Sequence, residues 1–257
     1  MTTTTASLLF LLLSLSAAAA PPEATVPRGR TVEYEAALRA FGRRGAWEPM
    51  GELTGRLQFE GRKTYRSVML GSYRKNTDWL KTGAFVRFEA GNRHDDDWVN
   101  PRPGVWLWRE TEDRTEAVLV LDASPRAKLS WLPGGSWLGL LKTRYEHNTF
   151  NHQNTAKLEP ELSWFWMKGL EPQAHFALRY EADLALGYGH QTLREQWVYA
   201  SALRHFPNGL VVGPTAALRD GVFETSSAFS SATGGRSYRA KWRSYVLGLT
   251  AVWRFAR

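Results

Sequence analysis

Apolar and polar residues alternate along most of this chain with a period of two, which is the period of a β-strand and not of a helix. Ala174 to Tyr188 alternates over its whole length, and Glu52 to Glu60 sets Leu53, Leu57 and Phe59 against charged and polar neighbours. A strand-sized segment and a turn recur roughly every fifteen to twenty residues. The pattern therefore predicts an all-β fold of about twelve strands, with ten or fourteen as open alternatives. The predicted strands cover residues 31–40, 52–60, 65–74, 80–90, 105–110, 115–123, 137–146, 155–166, 174–188, 193–206, 210–219 and 238–255.

The segments between these strands indicate how the strands are connected. Asn208-Gly209 has the residues of a tight hairpin turn, whereas 223–237 is a long Ser- and Gly-rich loop. An even number of strands would place both ends of the chain on the same side of a closed barrel. Counting back from the last strand then predicts that 92–103 lies at the end of the Asn208-Gly209 turn, and 75–78 at the opposite end.

The first twenty residues are typical of an export signal. An apolar run from Leu8 to Leu15 precedes a small-residue stretch and then Pro21 and Pro22. The run is too short to span a bilayer as a helix. We therefore expect 1–20 to be a cleavable signal peptide, and 21–257 to form one domain because no Pro- or Ser-rich linker divides it.

The chain closes on the alternating sequence YVLGLTAVWRFAR. The residues that share one parity are Tyr245, Leu247, Leu249, Ala251, Trp253 and Phe255. This ending resembles the C-terminal strand of bacterial outer-membrane β-barrel proteins, in which a terminal aromatic residue and the alternating residues before it are read by the barrel-assembly machinery. The resemblance implies a transmembrane antiparallel β-barrel in the bacterial outer membrane, with lipid, lipopolysaccharide and that machinery as partners. Ala256 and Arg257, which follow the aromatic residue, depart from the pattern.

The composition agrees with a barrel of this kind. Aromatic residues make up 13% of the chain, including 12 Trp, yet the mean hydropathy is only −0.39. Such fine interleaving of apolar and polar residues is typical of strands with one lipid-facing and one lumen-facing side. A soluble sandwich is the alternative fold, and it would have to bury many Trp and Tyr opposite charges. The absence of cysteine excludes a disulfide-stapled scaffold and a lipoprotein.

Charged residues fall mainly on the parity opposite to the apolar face, with acids and bases in near balance. A selective pore needs an unbalanced ring of one sign. Balance instead favours a lumen laced by ion pairs, either closed or narrowly filled with water. The predicted lumen-lining residues are Arg56, Arg87, Glu89, Arg144, Glu146, Arg179 and Glu181.

Three cations share the outward parity of the last strand, namely Arg239, Lys241 and Arg243. The nine or so residues that follow already cover most of the apolar band of an outer membrane. We therefore expect these cations to stand just above the hydrocarbon, level with the phosphates of lipopolysaccharide.

Two functions of different class fit this barrel. One is a narrow passive channel or lumen-binding barrel for small solutes, and the other is a closed structural or lipopolysaccharide-contacting barrel without transport. An outer-leaflet lipid hydrolase is a third hypothesis. The chain lacks the His-x-Ser-Asn-Gly motif of outer-membrane phospholipase A, so no catalytic residue is assigned and enzymatic activity stays open.

Other chemistry has weaker support in the sequence. His94 to Asp97 offers four ligating side chains in a row, but consecutive residues rarely converge on one ion, so we interpret it as a solvated acidic turn. We predict no metal site and no cofactor. An isoelectric point near 9.8 is compatible with nucleic-acid binding, which we do not expect of an exported, strand-rich chain.

Overall fold

The computed structural model describes residues 30–58, 63–91, 98–102, 105–108, 115–150, 152–186, 193–224 and 239–255. These ranges form thirteen β-strands. The strands are β1 (Arg30–Phe41), β2 (Trp47–Gln58), β3 (Lys63–Lys75), β4 (Leu80–Ala90), β5 (Trp98–Arg102), β6 (Val105–Trp108), β7 (Thr115–Lys128), β8 (Ser136–Asn148), β9 (Asn154–Lys168), β10 (Glu171–Leu186), β11 (Leu193–His205), β12 (Leu210–Glu224) and β13 (Arg239–Arg254). Within the same ranges, no helix is long and apolar enough to cross a membrane.

Eleven of the strands close into a barrel in the order β1-β13-β12-β11-β10-β9-β8-β7-β4-β3-β2. The predicted all-β barrel is therefore confirmed. Ten of the neighbouring pairs are antiparallel. The exception is the closing seam, where β1 runs parallel to β13 from Arg30 opposite Arg243 to Phe41 opposite Arg254.

The wall has eleven strands rather than about twelve, because one predicted strand lies outside it. The segment predicted at 105–110 forms the four-residue β6, which pairs with β5 in a separate two-stranded sheet. β4 pairs directly with β7, from Leu80 opposite Pro125 to Ala90 opposite Thr115. Wall strands have 11 to 16 residues, so β6 is too short to be one of them.

An odd number of strands also changes the predicted connections. β1 begins at the end of the barrel opposite to that at which β13 ends, so the expectation that the wall starts and finishes on one side is wrong. Residues 75–78 lie at the same end as Asn208-Gly209, not opposite to it, whereas β4 ends and β7 begins at the other end. Of the predicted 92–103 loop, residues 92–97 and 103 lie outside the described residues. The end at which β13 finishes carries the short turns 42–46, 76–79, 129–135, 169–170 and 206–209. We call it the short-turn end.

The two faces of the wall have opposite polarity. On β13 the outward Leu247 is 52% exposed, whereas the inward neighbour Val246 is 3% exposed. β7 shows the same period, with Leu119 and Leu121 outside and Asp122 buried inside. The exterior is thus largely apolar, and most charged side chains of the described strands face the interior.

One sector of the interior is filled by an apolar cluster. Its members, which come from β2, β3, β4 and β7, are Met50, Met69, Tyr73, Phe85, Val118 and Val120. Gly71 makes room for them, since a Cβ at this position would lie 2.4 Å from a ring carbon of Phe85. The charged side chains occupy the remaining sectors of the lumen.

Candidate functional site

The lumen contains a cavity of about 280 Å³ lined mainly by charged side chains. The seven predicted lumen-lining residues all border it: Arg56, Arg87, Glu89, Arg144, Glu146, Arg179 and Glu181. They come from β2, β4, β8 and β10, and each occupies an inward position of its strand. The strict alternation of these strands is what brings them to one space.

Sequence reasoning missed several residues of this interior. Asp122 lies on the same inward face of β7 as Val118 and Val120. Because these two residues are apolar, the sequence pattern did not show that this face is the inner one. Trp197 and Tyr199 also border the cavity, although aromatic residues were expected mainly on the outer face. Glu195, a charged residue that borders the cavity and shares its parity on β11 with both rings, is the signal that could have placed them inside.

One set of charges in the lumen is fully paired. We call Arg87, Glu89, Glu146 and Tyr65 the Arg87 cluster. Nη1 and Nη2 of Arg87 donate to the two carboxylate oxygens of Glu146, each at 2.7 Å, and its Nε donates to Glu89 Oε2 at 2.7 Å. The hydroxyl of Tyr65 donates to the same Glu89 oxygen at 3.0 Å. Each guanidinium nitrogen of Arg87 therefore has a short charge-assisted hydrogen bond.

A second set of charges is loosely paired. We call Lys142, Arg144, Arg179 and Glu159 the Glu159 cluster. The three cations approach the Glu159 carboxylate at 3.9, 3.6 and 3.6 Å respectively, and Glu159 is only 2% exposed. Charge-assisted hydrogen bonds are about 2.7–2.9 Å long, so none of these contacts is one. Among the described residues, Glu159 Oε1 and the Nε atoms of Arg144 and Arg179 are buried without a hydrogen-bond partner.

Asp122 and Glu146 supply further negative charge near this cluster. The Asp122 carboxylate lies 3.5 Å from Lys142 Nζ and 3.7 Å from Arg144 Nε, and it accepts a hydrogen bond from Ser124. Arg144 Nη1 also lies 3.6 Å from Glu146, which already accepts two hydrogen bonds from Arg87. The carboxylates next to the Glu159 cluster are therefore engaged by other donors.

A contact across the lumen links opposite walls. The guanidinium of Arg56 on β2 lies 4.8 Å from the ring centre of Trp197 on β11, and Arg219 lies 4.9 Å from a ring of the same tryptophan. The ring of Tyr199 stacks on that of Trp197, with their centres 5.3 Å apart. The guanidinium carbon of Arg179 lies 4.1 Å from the centre of the Tyr199 ring. Cation–π contacts of this kind hold the rings and guanidinium groups together and narrow the free space.

Two further buried acceptors lie in the lumen wall. Lys157 binds Asp183 at 2.7 Å and approaches Glu181 at 3.3 Å, which leaves Asp183 Oδ1 without a hydrogen-bond partner in the described part of the chain. Glu33 Oε2 is in the same condition, with Arg56 Nε at 3.5 Å. The unpartnered atoms are thus both donors and acceptors.

The predicted positions on the last strand lie on the outer surface. Tyr245, Leu247, Leu249 and Trp253 are exposed on the outward face of β13, and Phe255, which follows the strand, is exposed as well. Arg243 is also exposed, and its Nε and Nη2 donate to the Asp220 carboxylate at 2.6 and 2.9 Å. The side chains of Arg239 and Lys241 lie outside the described residues, as do 1–20 and the acidic segment 94–97. Within the described ranges, no group of three ligating side chains is placed to hold a metal ion.

Comparison of the chain with protein-family models, with curated proteins and with solved structures finds no match.

Proposed function

We propose that this chain is an outer-membrane β-barrel that binds small polar solutes in a closed, charged lumen. The observation that carries the proposal is the combination of an apolar exterior with a buried, charged cavity in which donors and acceptors lack partners. A barrel that folds in water buries its apolar face, and this one exposes it.

Aromatic residues on the outer surface support membrane insertion. Five exposed tryptophans of the described residues lie at or near the short-turn end: Trp47, Trp79, Trp131, Trp166 and Trp253. Exposed tyrosines lie higher on the wall, at Tyr34, Tyr145, Tyr180 and Tyr245. On β13 the eight-residue step from Trp253 to Tyr245 spans about 26 Å of strand, or about 20 Å at the usual tilt. This is close to the apolar band of outer-membrane barrels, which aromatic girdles flank.

The lengths of the connections support one orientation. Outer-membrane barrels have short periplasmic turns and longer extracellular loops. The resemblance of β13 to a terminal barrel strand also implies that its end faces the periplasm. The short-turn end is therefore assigned to the periplasm, and β1 enters the wall from the outer side.

The size and filling of the lumen favour binding over free diffusion. A cavity of about 280 Å³ lies at the lower end of the range of small-molecule pockets, which is about 300–1,000 Å³. The apolar cluster fills one sector, and the contact between Arg56 and Trp197 crosses the space beside it. Charged groups left without partners in such a space are strong sites for a small polar solute or for ordered water.

The test is to refold the chain from residue 21 in lipid and to measure insertion, conductance and solute binding together. We expect brominated lipids to quench the outward tryptophans, planar bilayers to show no porin-sized steps, and a panel of small charged, zwitterionic and neutral solutes to contain some that raise the unfolding temperature. Unquenched tryptophan fluorescence would overturn the membrane assignment. Reproducible conductance steps would instead establish the narrow passive channel, and a folded barrel indifferent to every solute would leave the closed structural barrel.

A lipopolysaccharide contact is a second candidate function, favoured by the place of Arg243. This residue lies on the outward face of β13, two positions before Tyr245 in the chain. It remains exposed despite its pairing with Asp220. Charge reversal of Arg239, Lys241 and Arg243 together is expected to reduce the stabilisation of the barrel by lipopolysaccharide relative to phospholipid. Equal stability of the variant and the parent chain in both lipids would contradict it.

A further inference from the structure

We propose that the Glu159 cluster is a binding site for a small oxyanion of the carboxylate or phosphate type. This inference rests on the proposed lumen-binding function and names the class of solute. It concerns Lys142, Arg144 and Arg179, with Glu159 as the internal carboxylate that the solute meets.

Two donors of the cluster point at a shared carboxylate but form no hydrogen bond to it. Arg144 and Arg179 each have a buried Nε without a hydrogen-bond partner, and both guanidinium groups stand 3.6 Å from the same carboxylate. Lys142 adds an ammonium group at 3.9 Å. A buried donor without a partner is unfavourable, and a guanidinium group matches the planar geometry of an oxyanion. An oxyanion beside Glu159 would supply the missing acceptors.

Most arginines that line the lumen are not short of hydrogen-bond partners in this way. Arg87 satisfies its three nitrogens with Glu146 and Glu89, and Arg39 is paired with Glu52 at 2.5 Å. The same residue types in the same cavity thus form saturated pairs elsewhere. The unpartnered donors are concentrated on Arg144 and Arg179.

The unpartnered donors favour an anion rather than a cation. The carboxylates near Arg144 other than Glu159 are Asp122, which accepts a hydrogen bond from Ser124, and Glu146, which Arg87 binds through two hydrogen bonds. An added oxyanion would offer acceptors to the buried Nε atoms of Arg144 and Arg179. Glu159 repels that anion and competes with it for the same donors, so its carboxylate limits the affinity of the site.

Room for such a solute exists in the cavity. All four residues of the cluster border the space of about 280 Å³. A space of this size takes a carboxylate or phosphate of a few heavy atoms together with ordered water.

The test is a titration of the refolded barrel in zwitterionic detergent at low ionic strength with sodium formate, sodium acetate, sodium phosphate and sodium chloride. Binding is measured by calorimetry and by the rise in unfolding temperature. We expect the oxyanions to bind more tightly than chloride, and the ratio of acetate to phosphate affinity to identify the carboxylate or the phosphate as the preferred group. Equal responses to all four salts would show a non-specific anion effect and would overturn the proposal.

Variants with opposite expected signs separate a binding site from a structural ion pair. Arg144→Gln and Arg179→Gln remove a donor and are expected to weaken oxyanion binding about tenfold or more. Glu159→Gln removes the competing carboxylate and is expected to strengthen it by a similar factor. Arg74→Gln is the matched control, because it removes the same charge from the outer surface of β3 at the short-turn end. A structural cluster would be destabilised by all three lumen substitutions and would show no gain of affinity in Glu159→Gln, which would overturn the proposal.

Two conservative variants keep the test decisive if a glutamine variant does not fold. Arg144→Lys and Arg179→Lys retain the charge but lose the planar fork, so oxyanion affinity is expected to fall while the affinity for chloride changes little. An unchanged preference for oxyanions in both would count against the assignment.

Failure of this inference is distinguishable from failure of the proposed function. Binding in detergent needs neither a bilayer nor a closed pore. A barrel that conducts ions but binds oxyanions at this cluster overturns the closed lumen and keeps the site. A barrel that is stabilised by cationic or neutral solutes alone keeps the function and overturns the oxyanion site.

Discussion

The Arg87 cluster and the Glu159 cluster use the same residue types in the same lumen, yet their contacts differ by nearly one ångström. Arg87 meets its carboxylates at 2.7 Å, whereas Arg144, Arg179 and Lys142 stand 3.6 to 3.9 Å from theirs. In the first, each nitrogen of one guanidinium donates to a carboxylate at hydrogen-bond distance, although Arg144 also lies 3.6 Å from Glu146. In the second, three cations share Glu159, and none of them lies within hydrogen-bond distance of it. Contact distance, rather than residue type, thus separates a structural ion pair from a candidate binding site.

The largest effect is expected from Arg87→Gln. The substitution removes the three short hydrogen bonds that Arg87 donates to the buried Glu89 and Glu146, and breaking a buried pair in this way costs about 3–5 kcal/mol. Urea unfolding of the refolded barrel measures the loss, with Arg74→Gln as the control for the change in net charge. A decrease of less than about 1 kcal/mol in the free energy of unfolding would show that Arg87 does not stabilise the barrel as a buried ion pair.

Tyr65→Phe tests how much a single hydrogen bond of the Arg87 cluster contributes to the stability of the barrel. It removes only the 3.0 Å hydrogen bond to the buried Glu89, and a hydrogen bond to a charged group contributes about 1.5–3 kcal/mol. The same unfolding measurement applies. Stability equal to that of the parent chain would mean that Glu89 is satisfied by Arg87 alone.

Arg144→Gln is expected to lower stability by about 1–2 kcal/mol, well below the effect at Arg87. The contacts it removes are long, and Glu159 keeps Lys142 and Arg179 nearby. Comparing the two variants in one unfolding series tests the contrast directly. A loss as large as that of Arg87→Gln would place both clusters in the same class.

Arg243→Gln on the outer surface is expected to have the smallest effect, at most about 1 kcal/mol. Arg243 and Asp220 form a two-bond pair of good geometry, but both side chains are more than 40% exposed. Solvent therefore screens their attraction. The result calibrates how much burial, rather than hydrogen-bond geometry, accounts for the effect at Arg87.

Alternation in the sequence predicted which way the side chains of the wall point, because a strand has a fixed period. Arg56, Arg144 and Arg179 lie in the cavity as their parity requires. Parity was less informative on β7, where Val118 and Val120 share the inward face with Asp122. There an apolar cluster inside the barrel removes the contrast between the two faces.

The partners of these side chains depend on register and on the count of strands, which the local pattern does not contain. Arg87 on β4 reaches Glu146 on β8 over the intervening β7 only because β4 and β7 are neighbours in the wall. The sequence predicted a strand near 105–110 correctly but not its partner, since a short alternating segment pairs equally well in a wall or in a small hairpin. The number of wall strands was one too high for that reason.

The parallel seam has a consequence for how the chain folds. Ten of the strand pairs join neighbours that follow each other along the chain, or nearly so, and can form as successive hairpins. The seam instead joins residues such as Thr31 and Ser244, which are 213 positions apart and whose hydroxyls lie 2.8 Å from each other. Contacts so distant in sequence form slowly, because the entropy of closing the loop must be overcome before they contribute. Closure of β1 onto β13 is therefore expected to be the slowest strand pairing of the barrel.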